Sequence, residues 1–266
     1  MEDSEKGHYL EVNGINMYYE DLGEGHPLIL LHGGFASARF QWGLHIPVFS
    51  KEFRVIAPDC RGQGKTDNPD GHFSYRLMAD DIVGLINELN LERPFICGYS
   101  DGGQIVLEIG IRYPDVAGAL IAGGALVELS DYYLNGMKAM GVDGPGEVDI
   151  GRLGEAFPEF VAAASQVHAA VYGEEYWKVL LVNISKMWAN PNEFPGDRVT
   201  GIRAPTLVIQ GDRDEVIPLE DAMTLYRKIP GSELAIVPNA DHGSLMSQPE
   251  VYCSIITDFL KRIESR

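Results

Sequence analysis

The chain has 266 residues, 45% of them hydrophobic, and a formal net charge of −18. That length suits one sizeable core, and the composition excludes a disordered or fibrous chain. The acidic balance argues against nucleic acid or an anionic membrane as partner.

The predicted elements run in order from a hairpin. "HYLEV" and "INMYYE" flank Asn13-Gly14, a strong two-residue turn signal. "PLILLHGG" is a continuous apolar strand running into glycines, "ARFQWGLHIPVFSK" reads as a helix, and "FRVIAPD" is a further strand. "FSYRLMADDIVGLINELN" places Leu77, Ile82, Leu85, Ile86 and Leu89 at helical spacing. Strand "PFICGYS", helix "GGQIVLEIGIRYP" and strand "VAGALIAGG" follow. Late in the chain "PTLVIQGD", "LEDAMTLYRKIP", "SELAIVPN" and "PEVYCSIITDFLKRI" repeat strand, helix, strand, helix. Between about residues 125 and 200 apolar strands vanish. "YYLNGMKAM", "LGEAFPEFVAAASQVHAAVYG" and "EEYWKVLLVNISKMW" read as helices, a helical insertion between two strands of a mostly parallel sheet.

The polar, acidic first twenty residues predict no secretory leader, and no apolar run is long enough to span a membrane. Cys60, Cys97 and Cys253 are odd in number and scattered, which reads as reduced thiols in a cytoplasmic protein, Cys97 in a strand core.

In "PFICGYSDGGQ" a Gly-x-Ser-x-Gly motif stands between a strand and a helix, the context in which a serine is exposed on a strained turn. Gly98, Gly102 and Gly103 let the backbone approach closely there. Ser100 is therefore the candidate nucleophile, and it needs a histidine base held by a carboxylate. His242, in "VPNADHGSL" after a late strand, has the right context, while His32 opens "HGGF" at an early strand end. His8, His26, His45, His72 and His168 read as surface or cap residues. For the acid, "PTLVIQGDRDEVIP" offers Asp212 and Asp214, and Glu128 follows "LIAGG". Glycines in "LLHGGF" leave backbone N–H groups exposed, so Gly34 and Asp101 are the candidate oxyanion donors. "DCRGQGKT" ends like a phosphate-binding loop, but Asp59 stands where that loop needs glycine and a turn follows it. No His/Cys cluster has zinc spacing and no dinucleotide fingerprint follows a strand, so no cofactor is expected.

Together "HGGF", "DCRGQGKT", "GYSDGG", "GDRDEVIP" and "DH" resemble the α/β-hydrolase fold enzymes across essentially the whole chain. The resemblance implies an α/β fold: a mostly parallel eight-stranded sheet flanked by helices, with a helical cap between strands six and seven. Residues 1–125 and 200–266 would then form the core and 126–199 the cap. In that family the acid is usually the aspartate of Gly-x-x-Asp, here Asp214; some members carry it after strand six, which keeps Glu128 as the alternative. "GYSDGG" and "YGEEYWKVL" resemble the valacyclovirase-like (biphenyl hydrolase-like) esterases, whereas "HGGF" is closer to general esterases and C–C hydrolases. The subgroup implies that the aspartate after the nucleophile receives the α-amino group of an amino-acid ester.

The expected activity is hydrolysis of small carboxylic esters by Ser100, His242 and Asp214. Lactonase, C–C bond hydrolase and cofactor-free perhydrolase chemistries use the same residues, and a ligand receptor on the same fold is the alternative of another class. Phe35, Trp177, Trp188, Tyr132, Tyr133 and Met187 are candidate pocket residues. Asp101 either serves the start of its helix or pairs with Arg39, or it faces the pocket and awaits a cationic substrate group.

Overall fold

Asn13 and Gly14 both take positive φ (47° and 77°), the turn that joins β1 (His8–Val12) to β2 (Ile15–Leu22). The computed structural model describes residues 7–265; residues 1–6 of the polar start and residue 266 lie outside the described residues. The chain continues through β3 (Pro27–Leu31), α1 (Ala38–Trp42), α2 (Ile46–Phe49), β4 (Arg54–Pro58), α3 (Tyr75–Glu88), β5 (Phe95–Tyr99), α4 (Asp101–Arg112) and β6 (Ala119–Gly123). After β6 come α5 (Asp131–Ala139), β7 (Val142–Gly144), β8 (Glu147–Val148), α6 (Ile150–Ala156), α7 (Pro158–Tyr172) and α8 (Tyr176–Trp188). β9 (Thr206–Gly211), α9 (Leu219–Lys228), β10 (Glu233–Val237), α10 (Ser244–Ser247) and α11 (Pro249–Glu264) complete it.

Eight strands form one sheet in the order β1-β2-β4-β3-β5-β6-β9-β10. β2 pairs antiparallel with β1 and β4, and every other pairing is parallel. The central parallel strands β3, β5 and β6 are apolar runs because both faces are covered. Alternation divides them: Ile29, Leu31 and Ile96 pack on one face with α3, α4 and α9, while Leu28, Leu30, Phe95 and Cys97 pack on the other with α1, α2 and α11. Each such side chain, removed from water, contributes about 1.5–3 kcal/mol. No helix among the described residues is long and apolar enough to cross a membrane.

Local details differ from the sequence expectations. The helix expected across residues 38–51 is two short ones, with Pro47 at the start of α2. The single helix expected over 153–173 is broken at Phe157 (φ −136°, ψ 60°), because a residue before proline is pushed out of helical backbone. The insert is not free of strands: β7 and β8 pair antiparallel around Pro145-Gly146, a turn too short to show as an apolar strand pattern. His45 and His168, expected at the surface or as caps, are fully buried. His45 packs between Trp42 and Phe49, and His168 stacks on Phe35, ring surfaces that make a neutral imidazole acceptable inside.

Candidate active site

Ser100 sits between β5 and α4 at φ 59° and ψ −121°, a strained conformation costing of order 1–3 kcal/mol. Packing holds it there. A Cβ on Gly98 would overlap the Gly102 carbonyl, and one on Gly102 would overlap the Leu31 carbonyl, so the strand, turn and helix close only with glycine at both. The turn lifts the serine hydroxyl off the sheet end.

His242, in the loop between β10 and α10, places Nε2 3.1 Å from Ser100 Oγ and Nδ1 2.8 Å from Asp214 Oδ2. Asp214, just past β9, is buried. Its Oδ1 accepts from the Val216 and Ile217 N–H groups at 2.9 and 2.7 Å, and its Oδ2 from Gln210 Nε2 at 2.8 Å. Burial pushes its pKa up, but the His242 charge and the hydrogen bonds from His242 and the Ile217 and Val216 N–H groups outweigh burial and hold the carboxyl below the usual range. Burial lowers the His242 pKa, yet Asp214, then Glu215 and Asp101, lift it above its ordinary value. An acceptor at Nδ1 fixes the proton there, so Nε2 is left to accept from the Ser100 hydroxyl.

The other acid candidates do not reach the imidazole. Glu128 is exposed, and Asp212 accepts from the Ala240 N–H. A neighbouring carboxylate missed in the sequence, Glu215, accepts from the His242 N–H at 3.3 Å.

The "HGGF" loop after β3 faces the serine. The Gly33 N–H donates to Gln41 Oε1 at 2.5 Å and the Phe35 N–H to Gln63 Oε1 at 2.7 Å. The two glutamines thus take the N–H groups on either side of Gly34, whose own N–H and that of Asp101 bond to no protein acceptor among the described residues. Phe35 itself is buried at φ +60°. His32 is not a second base. It is fully buried, its Nε2 accepts from the Cys60 N–H at 2.8 Å, and its Nδ1 donates to the Gly33 carbonyl at 2.7 Å. Burial lowers its pKa to about 4, so it is a neutral strut of the loop. Gln41 lies outside any motif and Gln63 is an unassigned position inside "DCRGQGKT"; only their position against the loop reveals their role.

Asp101 does not pair with Arg39, which binds Glu20 instead. Its carboxylate lines the cavity above Ser100 and is buried. Tyr75 Oη donates to Oδ1 at 2.7 Å, and Trp188 Nε1 to both oxygens at 2.9 and 3.0 Å. Burial raises its pKa to about 6, against the Tyr75 and Trp188 hydrogen bonds and the His242 charge. Its side chain packs over Gly34, where a Cβ would overlap Asp101 Oδ2.

Above Ser100 lies a cavity of about 400 Å³ between the strand ends and the insert. Phe35, Trp188 and Tyr133 line it as expected, with Met137, Leu153 and Phe160 from the insert. Three expected residues do not. Tyr132 is 52% exposed; Met187 is buried in the hydrophobic core; Trp177 packs on Phe35, 6.1 Å between ring centres. No lysine or arginine is among the described lining residues, whereas Asp101, Glu215 and Asp241 are.

A family model described as the alpha/beta hydrolase family matches residues 28–255. The chain is similar to the 2-hydroxymuconate semialdehyde hydrolase of Pseudomonas sp. (strain CF600), 26% identical over 272 residues that cover 98% of this chain and 96% of that one. It is also similar to the serine hydrolase BPHL of Homo sapiens, 24% identical, with 94% and 84% of the two chains covered. Among solved structures it is similar to a variant of the meta-cleavage product hydrolase CumD from Pseudomonas fluorescens IP01, with a TM-score of 0.81, 25% identity and coverage of 96% and 98%. The eight-stranded sheet, the strand–serine–helix turn and this match over most of its length agree: the chain belongs to the alpha/beta hydrolase family.

Proposed function

We propose that the protein is a serine hydrolase of small carboxylic esters, residues 126–199 acting as the cap that closes the site. The observation that carries this is the hydrogen-bonded series Ser100–His242–Asp214 beneath a cavity that Gly34 and Asp101 also line, their N–H groups bonding to no protein acceptor among the described residues. Ser100 Oγ attacks the ester carbonyl while His242 Nε2 takes its proton. Asp214 holds the tautomer and stabilises the imidazolium, and the Gly34 and Asp101 N–H groups hold the oxyanion. The imidazolium returns the proton to the leaving alcohol. Water then cleaves the acyl-enzyme with His242 again as base.

A second reading, hydrolysis of a C–C bond in an acidic dienone, draws support from the similarity to the 2-hydroxymuconate semialdehyde hydrolase. The charge of the cavity favours the ester. A carboxylate substrate would enter a space lined by three acidic side chains with no lysine or arginine among the described residues. The comparison that decides is turnover of p-nitrophenyl acetate against a vinylogous diketone acid. The expected result is multiple turnovers of the ester, abolished by Ser100→Ala, with a fluorophosphonate labelling Ser100 alone. Faster turnover of the diketone, or labelling at another serine, would overturn the reading.

A further inference from the structure

The insert reaches the oxyanion loop through a route that avoids Ser100, His242 and Asp214. Tyr172 ends α7, Tyr176 begins α8, and the turn at Gly173 (φ 90°) stacks their rings, 4.1 Å apart at 20°. Both hydroxyls point down onto loop 59–66. Tyr176 Oη donates to the Gly62 carbonyl at 2.8 Å and Tyr172 Oη to the Thr66 carbonyl.

That loop is tied in turn to the segment bearing Gly34. The Gln63 N–H donates to the Cys60 carbonyl at 2.9 Å, and Gln63 Oε1 accepts the Phe35 N–H. The Cys60 N–H donates to His32, and the Asp59 carboxylate accepts the Ala38 N–H at 2.8 Å. The insert also presses on Phe35 directly, through the stacked His168 ring 5.7 Å away. A non-glycine residue at φ +60° keeps that backbone only where its surroundings over-determine it, and Gln63 with His168 supplies that determination.

We propose that Tyr172 and Tyr176 are positioning residues that couple docking of the cap to the oxyanion hole: seated on loop 59–66, they hold Gln63, and through it Phe35 and the Gly34 N–H, in the geometry that receives the oxyanion. The proposal rests on the reading of Gly34 as an oxyanion donor. Loss of the two hydroxyls would leave the cavity walls in place, since neither tyrosine lines the cavity, but would loosen the donor. The cost then falls on the transition state and not on ground-state binding.

The test compares wild type with Tyr172→Phe/Tyr176→Phe and with Gln63→Met, using ester kinetics and two inhibitors. A trifluoromethyl ketone forms an oxyanion with the serine; its methyl ketone isostere binds without doing so. The expected double-tyrosine variant loses ~10-fold in kcat with KM nearly unchanged, the scale of effect of a small misplacement at a reacting centre. Its affinity for the trifluoromethyl ketone falls in parallel, while that for the methyl ketone stays. Gln63→Met reproduces the pattern, and combining it with the tyrosine changes adds little, as for residues acting on one path. Unchanged kcat, equal losses for both ketones, or full additivity would overturn the coupling. If wild type binds both ketones equally, the oxyanion reading itself fails, and the coupling falls with it.

Discussion

Replacing Asp214 by asparagine leaves His242 Nδ1 free to face an amide N–H, which favours the wrong tautomer. Loss of the corresponding aspartate in a serine protease costs ~10⁴-fold, and Asp214→Asn should reduce kcat by a comparable factor. Asp212→Asn and Glu128→Gln should stay close to wild type, because neither carboxylate reaches the imidazole. A larger loss in Glu128→Gln, measured in the same ester assay, would move the acid to the end of β6. The pH dependence follows from the same contacts. His242 acts as base only when neutral and Asp214 lifts its pKa above that of a free imidazole, so activity should rise with pH through an apparent pKa higher than a free imidazole's. Asp101 adds a second titration. With its carboxyl raised to about 6, it carries charge above that pH and loses it below. If it receives a substrate ammonium, the kcat/KM ratio of an α-amino ester to its des-amino analogue should exceed one near neutrality and decline as pH falls through 6. Asp101→Asn should cut the ratio by ~10-fold, equivalent to ~1.4 kcal/mol. An unchanged ratio would leave Asp101 the task of anchoring Trp188 and Tyr75.

The element that matters most is the strand–turn–helix unit of β5 and α4. Its spacing was legible because every constraint is local: an apolar run, three glycines and a helical pattern within one short stretch. Gly98→Ala sets a Cβ against the Gly102 carbonyl, and relief requires α4 to shift from the sheet. The expected cost is about 1–3 kcal/mol of stability, read as a lowered Tm, with slower fluorophosphonate labelling as Ser100 moves. Wild-type Tm and labelling would show that the elbow tolerates a methyl group. The elements of the insert were less legible. Proline at 158 marks the break between α6 and α7 in hindsight, but the apolar, alanine-rich sequence around it reads equally as one helix.

For the whole molecule, charge acts at two ranges. The net charge of −18 makes the protein repel anions at a distance, and the cavity repeats that bias at contact. In a panel of esters equal in size, neutral and cationic members should therefore exceed a carboxylate-bearing one in kcat/KM, most clearly at low ionic strength, with salt narrowing the gap. A preference for the anionic ester would show that the cavity opens to a cation from elsewhere in the fold.

The sequence by itself determined the chain order of the strands of the main sheet and the strand-end loops that carry Ser100, His242 and the acid candidates Asp212, Asp214 and Glu128, while the eight-stranded sheet and the preference for Asp214 came from the family resemblance. Apolar periodicity and glycine spacing are local properties, and parallel strands with helical crossovers pack in few ways. The tertiary structure alone decided which side chains of the insert meet the cavity. Tyr132 and Tyr133 are adjacent, yet one is exposed and the other lines the wall, because the docking of α5 and not its sequence chooses the face. It likewise decided that Asp101 meets Tyr75 and Trp188 instead of Arg39, and that Gln41 and Gln63, neither given a role by the sequence, bracket Gly34. Most of these are contacts between residues distant in the chain, which no short-range pattern encodes.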